Sequence, residues 1–231
     1  MNNGCIIVFV KSPEKGNVKS RLAASIGKDF ACALYKRFVG DLLGMLRKNG
    51  YLYVISFYPP DAGRDMEKWL GKDRMLIPQQ GENLGERMEN AFKKVFSEGF
   101  GFAVLIGSDS PDLPKLLIEK SFASLRGHDA VIGPSLDGGY YLIGFNRNTF
   151  APSVFEGIEW SSASVFNRTM GIFKKTGCRV RILPEWRDID TLNDLKALYY
   201  KNLDSDFAAS STMKYLRSRK NKIRIFQEDL I

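Results

Sequence analysis

Apolar and polar residues form two patterns along the chain. The first pattern, short runs that are almost continuously apolar, predicts β-strands. Seven segments are rich in Val, Ile and Phe, and most are almost continuously apolar, as expected of strands covered on both faces of a sheet. They read CIIVFV, LYVISFY, RMLIPQ, FAVLIGS, DAVIGPS, YYLIGF and RVRILPEW. We therefore predict seven strands.

Six amphipathic stretches lie between these segments and predict helices. In each, apolar residues recur at spacings of three and four, and several stretches end in Gly preceded by Lys or Arg, as helix ends do. They read KDFACALYKRFVGDLLGMLRKNG, DMEKWLG, NLGERMENAFKKVFSEG, PKLLIEKSFASLRG, SASVFNRTMGIFKKTG and TLNDLKALYYKN. Strands that alternate with helices predict an α/β layered domain whose central sheet is largely parallel.

One pair of predicted strands departs from the parallel pattern. Too few residues separate DAVIGPS from YYLIGF for a helical crossover, so this pair is predicted to turn back on itself and make the sheet mixed. The composition shifts once, after about residue 204. We predict a main domain over residues 1–203 and a basic helix or tail over residues 204–231.

Size and cysteine usage restrict the class of protein. The chain has 231 residues, of which 44% are hydrophobic, so it can bury one substantial core. No apolar run approaches the roughly 20 residues that cross a bilayer, and the first residues lack a basic leader and a small-residue cleavage site. Cys5, Cys32 and Cys178 are odd in number and widely spaced, which favours free thiols. We predict a soluble, cytoplasmic protein.

The loop after the first strand is rich in cations. Ligands bind beyond the carboxyl ends of the strands in open α/β sheets, and KSPEKGNVKSRLA occupies such a position before a helix. Its relevant residues are Lys11, Pro13, Lys15, Gly16, Lys19 and Arg21. Backbone amides at a Gly-containing loop and a helix start, flanked by cations, can form an anion cradle. We predict an anion site here, with a basic surface loop as the alternative.

Two further loops carry carboxylates. Asp109 follows FAVLIGS directly, and the prolines of SDSPDLP stiffen the chain, so its carboxylate is expected at the sheet edge with little freedom. In EWRDIDT, Asp188 and Asp190 point to the same side if the segment is extended. Carboxylates held this close repel one another unless a cation lies between them, so they predict a site for a hard divalent cation.

Helix capping is the alternative role for these acidic segments. Asp109 or Ser110 could cap the helix that follows, and capping is the favoured interpretation for Asp112, just before LPKLLIEK. Asp190 or Thr191 could likewise cap LNDLKALYYK. Both roles are possible there, on different residues.

A glycine-rich turn lies in the stretch GPSLDGGYYLIGF. Gly133, Gly138 and Gly139 permit close backbone approach and positive φ, Pro134 belongs to the turn, and Asp137 projects from it. A hairpin turn without any function is the alternative. The presence of three other unusual loops favours a functional role for Asp137.

The helix start QQGENLGERM is a possible recognition element. Gln79 or Gln80 could pair with the edge of a base, and Gly85 allows close packing. Glu86 and Arg87 could equally form a surface pair. The chain shows no Ser/His/Asp or Cys/His arrangement, so covalent hydrolase chemistry is not supported.

Together these motifs resemble one known family. FVKSPEKGNVKSRLA, NLGERM, IGSDSPDLP, GPSLDGGYYLIG, IEWSSASVF and DIDTLNDL occur in the order seen in proteins assigned as glycosyltransferases with the nucleotide-diphospho-sugar transferase (GT-A) fold, some of them named for arsenosugar biosynthesis. The same superfamily holds phospholactate guanylyltransferase and molybdenum-cofactor nucleotidyltransferases. The match covers roughly residues 5–200 and is more specific than any single motif. The resemblance implies a Rossmann-like, three-layer α/β/α sandwich with a mixed, mostly parallel sheet.

The resemblance also implies roles for the candidate residues. The basic loop over residues 11–21 is implied to hold the phosphates of a nucleotide, and Gln79 or Gln80 to lie near its base. Asp137 and the glycines around it are implied to line the site of the sugar or acceptor.

A metal site is implied as well. Asp109 is implied to bind Mg²⁺ or Mn²⁺ and to replace the usual Asp-x-Asp signature, with Asp188 and Asp190 as further ligands. The chain has Ser20, Asn83 and Ser110 where Thr, Asp and Cys are commoner in the family.

The resulting hypothesis is a metal-dependent transferase that uses a nucleotide-activated donor. Glycosyl transfer from a nucleotide sugar to a small-molecule acceptor is preferred, with Asp109 on the metal and Asp137 as the base that activates the acceptor hydroxyl. The alternative is nucleotidyl transfer, in which an NTP reacts with a phosphorylated small molecule and pyrophosphate is released.

A third hypothesis comes from the net charge of +8, much of which lies in MKYLRSRKNKIRIF. This tail could bind nucleic acid or a membrane surface, but its aromatic residues are limited to Tyr215 and Phe226. A solvated or packed terminal helix is favoured, and no specific nucleic-acid partner is expected. Deletion of residues 210–231 is then expected to leave nucleotide binding intact.

Overall fold

All seven predicted strands are present in the computed structural model, which describes residues 3–14, 16–160 and 162–219. The strands are β1 (Gly4–Lys11), β2 (Tyr53–Tyr58), β3 (Leu76–Pro78), β4 (Phe102–Gly107), β5 (Ala130–Pro134), β6 (Tyr140–Asn146) and β7 (Val180–Ile182). They form one sheet in the order β3-β2-β1-β4-β6-β5-β7.

The sheet is mixed and mostly parallel. β1 runs parallel to β2 and β4, β2 to β3, and β5 to β7. β6 runs antiparallel to both β4 and β5, because only a short turn separates β5 from β6 along the chain. The predicted α/β class and the predicted hairpin are both confirmed.

All six stretches predicted to be helical form helices. Among the described residues, the helices are α1 (Ser20–Ile26), α2 (Lys28–Lys48), α3 (Gly63–Leu70), α4 (Leu84–Ser97), α5 (Lys115–Ser124), α6 (Val165–Lys175), α7 (Leu192–Lys201) and α8 (Ser211–Arg219). The six predicted stretches correspond to α2 to α7. α1 follows the basic loop as expected, and α8 occupies the start of the predicted terminal helix. Within the described part of the chain, no helix has both the length and the apolar character needed to cross a membrane.

Two compact units are formed by the described residues. The first lies within residues 1–12, 46–107 and 114–187 and contains the whole sheet with α3 to α6. The second lies within residues 13–45, 108–113 and 188–231 and contains α1, most of α2, α7 and α8. The boundary predicted between residues 203 and 204 stays a prediction.

The core of the first unit is built from the continuously apolar strands and one face of α4. Met88, Phe92 and Val95 of α4 recur at helical spacing and are all buried. The ring of Phe92 meets that of Phe145 on β6 edge-on, with centroids 5.0 Å apart. Such aromatic pairs add to the apolar area that the sheet already buries.

The core of the second unit is helical. Its buried residues are Leu22, Leu34, Phe38, Ile189, Leu195, Leu198, Tyr199, Met213 and Leu216. They include residues of α1, α2, α7 and α8, so α8 is a packed helix, as favoured from the sequence. The rest of the predicted basic tail, residues 220–231 with Phe226, lies outside the described residues.

The three cysteines are free thiols, as predicted. Cys5 and Cys32 are buried, whereas Cys178 is half-buried. Burial raises the pKa of the Cys5 thiol to about 12, because desolvation disfavours the thiolate. Cys5 is therefore unreactive at neutral pH.

Candidate active site

Lys19 contacts two of the predicted carboxylates in the second unit. Its Nζ lies 2.6 Å from Asp109 Oδ1 and 2.9 Å from Asp190 Oδ1. The Lys19 side chain is 3% exposed, whereas those of Asp109 and Asp190 are 45% and 37% exposed. The structure thus brings together a cation of the basic loop and acids from two other segments.

The local backbone directs Lys19 to this position. Lys19 is the residue before α1 and has φ 52° and ψ 45°, in the left-handed region that non-glycine residues rarely adopt. Val18 on one side and Leu22 on the other are buried. These apolar anchors fix the chain around Lys19, so the strained conformation is imposed by packing.

The charge of Lys19 is stabilised by its partners. Burial by itself lowers the pKa of the Lys19 ammonium, but the negative charges of Asp109 and Asp190, and the hydrogen bonds they accept, outweigh burial and raise that pKa above its ordinary value. Lys19 is consequently a permanent cation at neutral pH.

Backbone and side-chain hydrogen bonds join the two acidic segments. The Ile189 amide donates to the Asp109 carbonyl over 3.0 Å, and the Ser110 hydroxyl donates to Asp188 Oδ1 over 2.5 Å. Ile189 is buried in the helical core, while Asp188 and Asp190 on either side of it are half-buried. This alternation is the one expected of an extended segment, in agreement with the same-side prediction for the two acids.

Ile189 and Tyr35 support the site, and sequence analysis did not identify either residue. Ile189 anchors the acidic segment. The sequence feature that could have identified it is the apolar residue between two aspartates in DID. Tyr35 of α2 shares a hydrogen bond of 3.0 Å with Ser108, just before Asp109. No local pattern indicates the Tyr35 contact, because the two residues are 73 positions apart.

Thr191 is the N-cap of α7, which leaves the Asp190 side chain available to Lys19. The Thr191 hydroxyl accepts from the Asp194 amide over 3.2 Å, and Asp194 Oδ2 accepts from the Thr191 amide over 2.9 Å. This reciprocal capping box satisfies two backbone donors at the helix start. Thr191 therefore has the capping role, and the metal role of Asp190 stays a prediction.

The predicted capping role of Asp112 was wrong. Pro114 takes the N-cap position of α5 and offers no side-chain acceptor. Asp112 stands two residues earlier, and its Oδ2 accepts hydrogen bonds from Asn202 Nδ2 over 3.0 Å and Lys201 Nζ over 3.2 Å. Asp112 thus ties its segment to the end of α7.

The other residues of the basic loop have different environments. Within the second unit, the Pro13 carbonyl accepts a hydrogen bond from Cys32 Sγ over 3.1 Å, and Gly16 has φ +89°. Arg21 is exposed on α1. Lys11, the last residue of β1 in the first unit, is exposed. The candidate Lys15 lies outside the described residues.

The chemistry of the carboxylates suits a hard divalent cation. Asp109 and Asp190 direct oxygen atoms at one point, which is the environment that Mg²⁺ and Mn²⁺ prefer. The Lys19 ammonium holds that point in this structure. Within residues 3–14, 16–160 and 162–219, no group of three or more His, Cys, Asp or Glu residues forms a metal site. Asp109 and Asp190 thus offer two oxygen donors of the type that Mg²⁺ or Mn²⁺ accepts, and the metal site stays a prediction.

Asp137 lies in the first unit and shapes its own turn. Its Oδ1 accepts from the Ser135 hydroxyl over 2.6 Å and from the Gly139 amide over 3.0 Å. Gly138 has φ +90°, and a Cβ there would overlap the carbonyl of Ala163. The turn therefore requires glycine at 138, and the Asp137 side chain is exposed.

Gly133 and Pro134 have packing roles in the same unit. A Cβ at Gly133 would overlap the ring of Tyr141, which is 3% exposed. The Pro134 carbonyl accepts a hydrogen bond from the Trp186 amide over 3.1 Å. These contacts join the turn to the segment after β7.

The two glutamines differ in their availability. Gln79 is buried, and its Nε2 donates to the Ser56 carbonyl over 2.9 Å, whereas Gln80 is exposed. Glu86 Oε2 accepts from the Glu82 amide over 2.8 Å, and Arg87 Nε donates to the Gly81 carbonyl over 3.0 Å. Glu86 and Arg87 thus hold the loop that follows Gln80.

Gly85 packs closely against its surroundings, as expected from the sequence. A Cβ at this position would lie 2.7 Å from the Phe155 carbonyl oxygen and 2.7 Å from the Trp160 ring. Only glycine allows α4 to begin so close to these residues.

The mixed, mostly parallel sheet and its helices form an α/β fold that matches a structure of the nucleotide-diphospho-sugar transferase class. A crystal structure from Desulfovibrio desulfuricans G20, described provisionally as a nucleotide-diphospho-sugar transferase, is 43% identical to this chain. It superposes with a TM-score of 0.92 over 97% of this chain and 98% of that chain. The chain belongs to the family described as "Uncharacterized protein conserved in bacteria (DUF2064)", whose model matches residues 43–162.

More distant structures share the fold. A nucleotidyl transferase from Methanothermobacter thermautotroptrophicus is 14% identical, with a TM-score of 0.61 over 89% of this chain and all of that chain (100%). CMP:2-keto-3-deoxy-manno-octonic acid synthetase complexed with CTP is 12% identical, with a TM-score of 0.52 over 87% and 100% of the two chains. At these identities the likeness concerns the fold alone. No protein of curated function matches the sequence.

Proposed function

We propose that this protein is a metal-dependent transferase that moves a glycosyl group from a nucleotide-diphospho-sugar to a small acceptor. The contact of Lys19 with Asp109 and Asp190 carries the proposal, because it joins a cation suited to phosphate with acids suited to a divalent cation. The relative that is 43% identical, described provisionally as a nucleotide-diphospho-sugar transferase, supports the same donor class.

In this proposal, Lys19 binds the phosphates of the donor. Its ammonium is a compact point charge, and a phosphate oxygen can take the place of a carboxylate oxygen as its partner. Arg21, which is exposed on α1 in the same unit as Lys19, provides further positive charge for the phosphates, and Lys11, also exposed, stays a proposed phosphate contact. Asp109 and Asp190, with Asp188 as the proposed third ligand, would hold Mg²⁺ or Mn²⁺, which would supply the positive charge that neutralises the diphosphate leaving group.

Gln80 and Asp137, which lie in the first unit, stay proposed contacts of the base and of the acceptor. Gln80 is the better candidate for the base, since it is exposed while the Gln79 amide nitrogen is used by Ser56. Asp137 is proposed as the base for the acceptor hydroxyl. Its Oδ1 maintains the turn, so Oδ2 is the oxygen assigned to the proton.

Nucleotidyl transfer would use the same phosphate and metal contacts, so the products must distinguish the two reactions. Thermal-shift measurements with ADP, CDP, GDP and UDP, with and without Mn²⁺, identify the base and the metal requirement. Incubation with the matching nucleotide sugars should then release a nucleoside diphosphate. Release of pyrophosphate from an NTP and a sugar phosphate would instead establish nucleotidyl transfer.

The variant Asp109→Asn tests the site itself. We expect it to weaken Mn²⁺-dependent nucleotide binding by at least about tenfold, or ~1.4 kcal/mol, because it removes one of the two charges at the proposed metal position. Asp65→Asn is the matched control, since Asp65 is exposed on α3 and pairs with Lys68. Equal nucleotide binding by both variants would exclude Asp109 from the site.

A further inference from the structure

Lys19 occupies the position that a metal ion would need. Its ammonium is within 2.9 Å of a carboxylate oxygen of both Asp109 and Asp190, and the same oxygens are the proposed metal ligands. An ammonium and a divalent cation placed between the same two oxygens would repel each other strongly. The two cations therefore compete for one location.

The burial of Lys19 favours its pairing with the two carboxylates. The Lys19 side chain is almost completely buried, and leaving its charge there without an anionic partner would be strongly unfavourable. The buried Val18 and Leu22 hold the backbone on both sides. Lys19 can release the carboxylates at low cost only when another anion takes their place.

We propose that Lys19 is a built-in counter-charge that keeps a divalent cation away from Asp109 and Asp190 until a phosphate group draws the ammonium to itself. The inference rests on the proposed function for the identity of the metal and of the phosphate donor. It specifies the order of binding: the divalent cation enters with the nucleotide or after it, and binds poorly before it.

Thermodynamic coupling gives this order a measurable form. If the nucleotide removes Lys19 from the carboxylates, it strengthens Mn²⁺ binding, and Mn²⁺ strengthens nucleotide binding by the same factor. Coupling of this kind typically amounts to about 5–150-fold. Without the Lys19 ammonium there is nothing to displace, so this part of the coupling should disappear.

Mn²⁺ binding measured by calorimetry and by electron paramagnetic resonance tests the proposal without any assay of activity. We expect the Lys19→Met protein to bind Mn²⁺ at least about tenfold more tightly than wild type in the absence of nucleotide. Lys19→Arg keeps the positive charge and is expected to bind Mn²⁺ as weakly as wild type. Equal Mn²⁺ affinities for Lys19→Met and wild type would overturn the proposal that Lys19 keeps the cation away from the carboxylates.

The wild-type protein provides a second measurement that does not depend on how the variants fold. Its Mn²⁺ affinity should rise with whichever of ADP, CDP, GDP and UDP stabilises it most. An unchanged Mn²⁺ affinity in the presence of a bound nucleotide would overturn the proposal that a phosphate group draws Lys19 away from the carboxylates. If none of the four nucleotides binds, the proposed function fails. The comparison of Lys19→Met with wild type still decides whether Lys19 keeps Mn²⁺ away from the carboxylates.

Discussion

Replacement of Gly138 by alanine should destabilise the turn that carries Asp137, and the neighbouring glycine provides the control. Gly138 has φ +90°, so a Cβ enters a backbone region that costs an L residue about 1–2 kcal/mol. The new Cβ would also overlap the carbonyl of Ala163. That segment cannot easily retreat, because the Phe166 amide donates to the Gly138 carbonyl over 2.9 Å.

We therefore expect Gly138→Ala to lower the free energy of unfolding by about 2–4 kcal/mol. At Gly139 the added Cβ would lie 3.3 Å from Asp137 Oδ1, and the backbone there is not in the left-handed region. Gly139→Ala should consequently cost less than about 1 kcal/mol.

Urea unfolding of the three proteins, with the slope of each transition compared, measures both quantities. If Gly138→Ala unfolded at the same urea concentration as wild type, or if Gly139→Ala were the less stable variant, the turn geometry described above would be incorrect.

Two further predictions concern an ion pair and α8. Hydrogen bonds from the side chain and backbone of Arg179 hold the pKa of Asp129 below its ordinary value near 3.8. Because solvent screens the exposed Arg179 side chain, Asp129→Asn should lower the free energy of unfolding at pH 7 by no more than about 1 kcal/mol. The difference in the free energy of unfolding between this variant and wild type should shrink as the pH falls below 4 through the folded-state pKa of Asp129. If urea unfolding gave the same difference at pH 7 and at pH 3, the stabilising role of the Asp129–Arg179 pair would be contradicted. Leu216→Ala should lower the free energy of unfolding by about 2–4 kcal/mol, because Leu216 is fully buried, whereas the exposed Lys214→Ala should have little effect.

The packing of α8 makes the start of the basic tail part of the helical core. Deletion of residues 210–231 would remove Met213 and Leu216 from the helical core, so a loss of nucleotide binding could result from unfolding. Truncation after Arg219 keeps both residues and removes only the part of the tail beyond the described helix.

The amino-acid sequence by itself determined the secondary structure and the topology of the hairpin. Continuous apolar runs marked the strands, because strands covered on both faces lack polar positions, and the short connection between β5 and β6 required an antiparallel pair. The alternation in DID also predicted that Asp188 and Asp190 share one side, because side chains alternate along an extended chain, and the burial of Ile189 between them is consistent with that prediction.

Only the tertiary structure decided which partners the polar side chains have. Lys19 and Asp190 are 171 residues apart, and Asp112 and Asn202 are 90 residues apart, so no local pattern could reveal either contact. The sequence likewise offered Gln79 and Gln80 as equivalent, although burial commits the Gln79 amide to Ser56. Local propensity depends on neighbours along the chain, whereas the partner of a charge depends on which distant segments packing brings to it.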